Sequence, residues 1–247
     1  MRFYVFIFFL FPLQIFASNQ LSDSLKENTR HEYVLNLKNT VIPISLFTIG
    51  FIGIESDALK SFNREVREEV RENIDRQFTA DDFLQYAPGA MVYANDLLGV
   101  KGKHKLQNQL LIHGTSLFIM GAIVNTLKYS EKVERPDHSS FNSFPSGHTA
   151  MAFANAEFLY QEYKDKSIWY GIAGYTIASS IGVFRIVNNR HWVTDVLAGA
   201  GIGIFSTKLS YFLYDRVFAK KNNKTKTTLI SPFYNSKQLG LCCSITF

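Results

Sequence analysis

Between Lys128 and Asp195 three short polar clusters alternate with two apolar runs, 149–160 and 168–183, each of helical length. The clusters are Lys128 with Arg135-Pro136, then Pro145-Ser146-Gly147-His148, then Arg185 with His191 and Asp195. If the two runs lie out and back across one layer, all three clusters return to the same end. The basic stretches Lys164-Asp165-Lys166 and 216–224 then fall together at the other end. This parity restricts the chain to an antiparallel helical bundle with its polar chemistry gathered on one side.

Each cluster has chemistry available to it. Lys128 and Arg135 stand at the end of an apolar run that Pro136 stops, so two cations can converge on one anion. Ser146 and Gly147 precede the run 149–160, where a helix N-terminus offers unpaired N–H groups and a favourable dipole to an anion. Gly147 lets the backbone approach a ligand closely. His191 and Asp195 are four residues apart, so on a helix the carboxylate can hold one ring nitrogen and leave the other as a nucleophile. Arg185 supplies a third cation.

Taken together, Lys-x6-Arg-Pro, Pro-Ser-Gly-His and Arg-x5-His-x3-Asp, in this order, resemble the three-part motif of the type 2 phosphatidic acid phosphatase superfamily. The match covers about 70 of the 247 residues. Lipid phosphatases, soluble bacterial acid phosphatases and vanadium haloperoxidases share that motif. The resemblance implies His191 as a nucleophile forming phosphohistidine, Asp195 as its orienting partner and His148 as the acid for the leaving oxygen. Lys128, Arg135, Ser146, Gly147 and Arg185 would hold the phosphate, with no metal and no cofactor. One position departs: Phe184 stands where the family usually has Ser before the third-motif Arg, which removes one hydroxyl contact. His138 lies between the first two clusters, outside the motif, and is read as a bystander.

The rest of the chain bears on setting. Mean hydropathy is −0.01, low for a fully embedded polytopic protein, so membrane spans must be short or share the chain with polar segments. The net charge of +5 suits a phosphate-bearing partner or anionic lipid surface; no basic stripe interleaved with aromatics points to nucleic acid. Cys242 and Cys243 are adjacent and lack metal-ligand spacing, so neither a disulfide nor zinc is expected. Residues 1–18 read as a secretory signal, or as an anchor helix if uncleaved, in a bacterial type of cell. Residues 19–220 form the helical phosphatase domain and 221–247 a tail, in which 228–234 and 239–247 suggest a hairpin.

Apolar runs at 40–54, 110–127, 149–160, 168–183 and 196–214 are taken as spans. Gly199, Gly201 and Gly203 permit close helix contact in the last of them. The stretch 83–99 is not taken as a span, because Pro88 and Asp96 weaken it. An even number of crossings then separates an exported residue 19 from Lys128, with 101–105 on the cytoplasmic side. Asp57–Asp82 reads as an amphipathic helix whose charges form a solvated face.

The expectation is an all-α helical bundle, mostly membrane-embedded, with five or six short spans in the bacterial inner membrane and a site facing the periplasm. Its expected substrate is a phosphorylated lipid. Asn142-Ser143-Phe144 and Asn188 to Gly203 further resemble Bacteroides-type lipid A phosphatases, with the 4′-phosphate favoured. Phosphatidylglycerophosphate and undecaprenyl pyrophosphate are the alternatives among lipids. A soluble periplasmic acid phosphatase and a haloperoxidase-like oxidase are the alternatives outside them.

Overall fold

The structure, a computed structural model, describes residues 33–74, 79–222, 228–235 and 238–245. The expected signal or anchor, 1–18, lies outside them. Among the described residues eight helices run in order: α1 Leu37–Ile52, α2 Asp57–Asn73, α3 Asp81–Leu84, α4 Ala87–Leu97, α5 Leu106–Ser130, α6 Gly147–Tyr163, α7 Ile168–Val187 and α8 Val193–Asn222. The expected hairpin is present as β1 Thr228–Asn235 paired antiparallel with β2 Gln238–Ile245. The body is all-α, as the sequence predicts.

Helix α6 is the central element, buried on nearly every side from Thr149 to Tyr163. Small residues Ala150, Ala152, Ala154 and Ala156 let its neighbours approach, and its buried polar groups are partnered because an unpaired one would be costly. Asn155 donates to Gln85 O at 2.8 Å, and its side-chain oxygen lies 2.8 Å from His113 Nε2. Glu157 pairs with Lys208 at 2.8 Å and accepts from Tyr175. Glu162 binds His104 and Tyr211, each at 2.7 Å. These bonds tie α6 to α5, α7 and α8, to Gln85 between α3 and α4, and to His104 just before α5.

The glycines of α8 act as expected. A Cβ at Gly199 would stand 2.5 Å from the Ser146 carbonyl oxygen, and one at Gly201 2.5 Å from that of Pro43, so α8 touches α6 and α1 backbone to backbone. The outer faces are apolar: Ile42 on α1 is 65% exposed, Phe118 on α5 76% and Trp169 on α7 71%. Leu106–Ser130, Ile168–Val187 and Val193–Val217 are long and apolar enough to cross a membrane, and α1 with α2 passes the same test as a pair bent by 90°. With such faces a bilayer, not water, is the matching solvent.

The path of the chain corrects the expected parity. Tyr33 N donates to Asp215 Oδ2 at 2.6 Å near the far end of α8, whereas Gly53 packs on Thr194 at its start. Helix α1 therefore runs toward the end that carries the three clusters. The stretch 83–99, set aside as a span, makes the return: Asp81 meets Arg185 at the site end, while Tyr163 OH donates to Val92 O at 3.1 Å and Val100 O at 3.0 Å at the other. The chain thus passes between the ends three times from Tyr33 to Lys128, an odd number. Pro88 is no obstacle, because it lies in the first turn of α4, where a missing N–H costs little. Asp96 is satisfied, its carboxylate accepting Gly102 N at 3.1 Å and its carbonyl Lys101 Nζ at 2.8 Å. Lys101–Lys105 does fall at the far end, where Lys103 N donates to Glu162 O at 3.0 Å.

Candidate active site

The helix ends bring the clusters together. Lys128 sits in the last turn of α5, which stops at Ser130, before Pro136. Asn142 gathers both first-cluster cations: its carbonyl accepts Lys128 Nζ at 2.6 Å and its side-chain oxygen accepts Arg135 Nε at 2.9 Å. Ser146 is the N-cap of α6, its buried Oγ accepting Thr149 N at 3.4 Å and lying 2.8 Å from Thr149 Oγ1. The Ser146 hydroxyl is thus committed to the cap, while the N–H groups of the first turn are left to a ligand. At Gly147 a Cβ would lie 4.0 Å from Lys128 Cε, so glycine is not required by packing there.

His191 and Asp195 do not share a helix face, because α8 begins at Val193 and His191 lies in the turn before it. They still meet. Asp195 Oδ2 is 3.7 Å from His191 Nδ1, too long for a hydrogen bond. Ser143 fills the gap, its Oγ donating to Asp195 Oδ2 at 2.5 Å and lying 3.5 Å from Nδ1. Trp192 N donates to the same carboxylate oxygen at 2.9 Å, and Asp195 O accepts Ser146 N at 3.0 Å. Nδ1 is thereby turned to the carboxylate, leaving Nε2 as the nitrogen free to react.

Burial drives the His191 pKa down to about 4; Asp195 opposes the shift, and Lys128 and Arg185 reinforce it. To serve as a nucleophile His191 would have to be unprotonated, and it takes a proton only below about pH 4. We therefore expect the kcat/KM profile to lose activity on its acid side as pH falls through that value. An acid limb centred near the ordinary histidine range would contradict the assignment.

Arg185, in the last turn of α7, is 7% exposed and binds Asp81 through NH1 at 2.7 Å. Its Nε is buried without a hydrogen-bond partner. His148 Nε2 lies 2.9 Å from Asp82 Oδ1. These contacts correct the view of Asp57–Asp82 as solvated: its last two carboxylates enter the site. His138 lies 2.8 Å from Glu134 and 3.3 Å from Arg67, consistent with its place outside the motif. Asn142, Ser143, Asp81 and Asp82 are the site residues that motif spacing misses. Only the first two carry a local signal, by adjoining Pro145-Ser146-Gly147-His148.

The geometry defines a class: an α-helical membrane protein with two histidines and three cations at one end of its bundle. Residues 109–219 match the family model of the PAP2 superfamily. It is 48% identical over 121 residues to a lipid A 1-phosphatase of Porphyromonas gingivalis, covering 49% of this chain and 27% of that one. It is 36% identical over 108 residues to phosphatidylglycerophosphatase B of Bacillus subtilis, covering 38% of this chain and 51% of that one. The chain thus spans about a quarter to a half of the length of these relatives. A crystal structure of a transmembrane PAP2-type phosphatidylglycerolphosphate phosphatase from Bacillus subtilis is 24% identical, with a TM-score of 0.46, covering 73% of this chain and 96% of that one.

Proposed function

We propose that this chain is a phosphatase that removes a phosphate monoester from a membrane lipid, lipid A by preference, at the periplasmic face of the bacterial inner membrane. The observation that carries the reading is His191, held by Ser143 and Asp195 through Nδ1, in the field of Lys128 and Arg185. In the first step the Nε2 lone pair attacks phosphorus, the P–O bond to the lipid breaks, and protonated His148 gives its proton to the leaving oxygen. In the second, neutral His148 takes a proton from water, the resulting oxygen attacks phosphorus, and the P–N bond breaks to release inorganic phosphate. Lys128, Arg135, Arg185 and the first N–H groups of α6 stabilise charge on the phosphoryl oxygens throughout.

A lipid substrate is supported by the rim of the site. Phe83, next to Asp82, is 80% exposed, Tyr129, next to Lys128, 83%, and Phe141, next to Asn142, 63%. Such a rim suits acyl chains beside a headgroup phosphate and disfavours a freely soluble acid phosphatase. The periplasmic assignment follows the charge outside α2 and the site's own cations: there Lys101, Lys103, Lys105, Lys164, Lys166 and Arg216 lie at the end away from the site, against Lys132 and Arg190 at the site end. For the phosphate position we favour the 1-phosphate over the 4′ expected from sequence, following the activity named for the Porphyromonas relative.

Purified protein given lipid A should release one phosphate, with mass spectrometry showing the monophosphoryl product that retains the 4′-phosphate. A product retaining the 1-phosphate would reverse the position. Release from phosphatidylglycerophosphate alone would move the substrate to the glycerophospholipids.

A further inference from the structure

Two carboxylates at the start of α3 reach the site, and the mechanism above uses neither. Asp81 pairs with Arg185 NH1 at 2.7 Å, with both side chains buried, and so fixes the guanidinium with its Nε left over. Asp82 Oδ1 lies 2.9 Å from His148 Nε2 and 3.9 Å from the same Arg185 NH1. From the geometry we infer that Asp82 is a positioning residue for His148, making a second histidine–carboxylate pair opposite His191 and Asp195. This inference rests on His148 being the acid of the reaction proposed above.

The chemistry follows from which nitrogen is held. A carboxylate at Nε2 keeps a proton there and presents Nδ1 to the leaving oxygen. During transfer the Nδ1 proton passes to the ester oxygen as the P–O bond breaks and the His191 Nε2–P bond forms, while the Nε2 proton stays on the ring beside Asp82. The charges facing His148 are Asp81 and Asp82 from α3 and Arg185 from α7. Burial first, and then Arg185, disfavour the imidazolium and lower the His148 pKa; Asp82, in direct contact, opposes them and so holds His148 protonated to higher pH than it would otherwise reach. Asp81 contributes mainly through Arg185. The Asp82 side chain is 58% exposed, so its effect is screened by solvent, and its replacement leaves the core intact.

The test is the pH dependence of kcat and KM for the full chain in detergent micelles, with a phosphorylated lipid that the wild type hydrolyses. Asp82→Asn should move the basic limb of kcat to lower pH and cost about tenfold at neutral pH, a part of what a general acid supplies. The loss should shrink toward acid pH, KM should change by less than about twofold, and Asp82→Glu should restore much of the limb. A loss independent of pH, or confined to KM, would make Asp82 merely structural and overturn the inference. A gain in kcat would overturn it too, since the carboxylate would then be occupying the leaving group's place. His148→Ala separates the two levels. If that variant keeps the wild-type rate, the acid assignment itself fails; if it loses the rate while Asp82→Asn keeps the basic limb in place, only the role of Asp82 fails.

Discussion

Replacing His191 by Ala is expected to remove turnover by a factor on the order of 10⁶, the scale for loss of a nucleophile that acts with its base as a unit. Replacing His148 by Ala should cost less, about 10²- to 10⁴-fold, because water or a better leaving group can substitute in part for an acid. The two variants should also differ in kind. With radiolabelled lipid, acid-labile phosphate should be trapped on the wild type and, more slowly, on His148→Ala, but never on His191→Ala. His191 is 3% exposed in a turn between two helices, so helix content by circular dichroism and elution by size should remain those of the wild type. Labelled phosphate on the His191→Ala protein would take the nucleophile away from this residue.

Asp195→Asn should be the next most damaging change, with kcat down about 10⁴-fold, comparable with other sites in which a carboxylate fixes the tautomer of a reacting histidine. Asp195 Oδ2 accepts from Ser143 Oγ at 2.5 Å and from Trp192 N at 2.9 Å; an amide oxygen could accept both but carries no charge to stabilise a ring that becomes positive. Ser143→Ala should fall in the same direction by only about tenfold, the worth of one hydrogen bond. The pair measured together would show the coupling, since Ser143→Ala should cost little more once Asp195 is already Asn. A Ser143→Ala protein with full kcat would mean that Asp195 acts on His191 directly, across 3.7 Å.

The parts of this site legible in sequence are those whose geometry is local. Spacing alone places Lys128 at the end of α5 and Ser146 at the N-cap of α6, and it pairs Asp195 with His191, though not on one helix face. Residues 104 and 66 positions apart, Asp81 with Arg185 and Asp82 with His148, have no such signature. In sequence their carboxylates follow a run of Arg and Glu that looks like any solvated face. The course of 83–99 was hidden for a related reason. Hydropathy tests for one lipid-facing helix, whereas this stretch crosses as a short helix against α6, where protein groups answer Asp96 and the free carbonyls. The orientation of α1 follows from the same crossing, so one misread segment reversed both.

The direct seating of α8 on α6 bears on how the protein meets membranes of differing thickness. Ser146 N binds Asp195 O at 3.0 Å, and the Ser146 carbonyl lies where a side chain at position 199 would stand. His148 on α6 and His191 before α8 are therefore spaced, at this end of the two helices, by main-chain atoms. When a bilayer thins or thickens, helices answer by tilting. Here the two must tilt as one body, so lipid composition can change how the site is presented to the membrane surface while the separation of its two histidines is preserved.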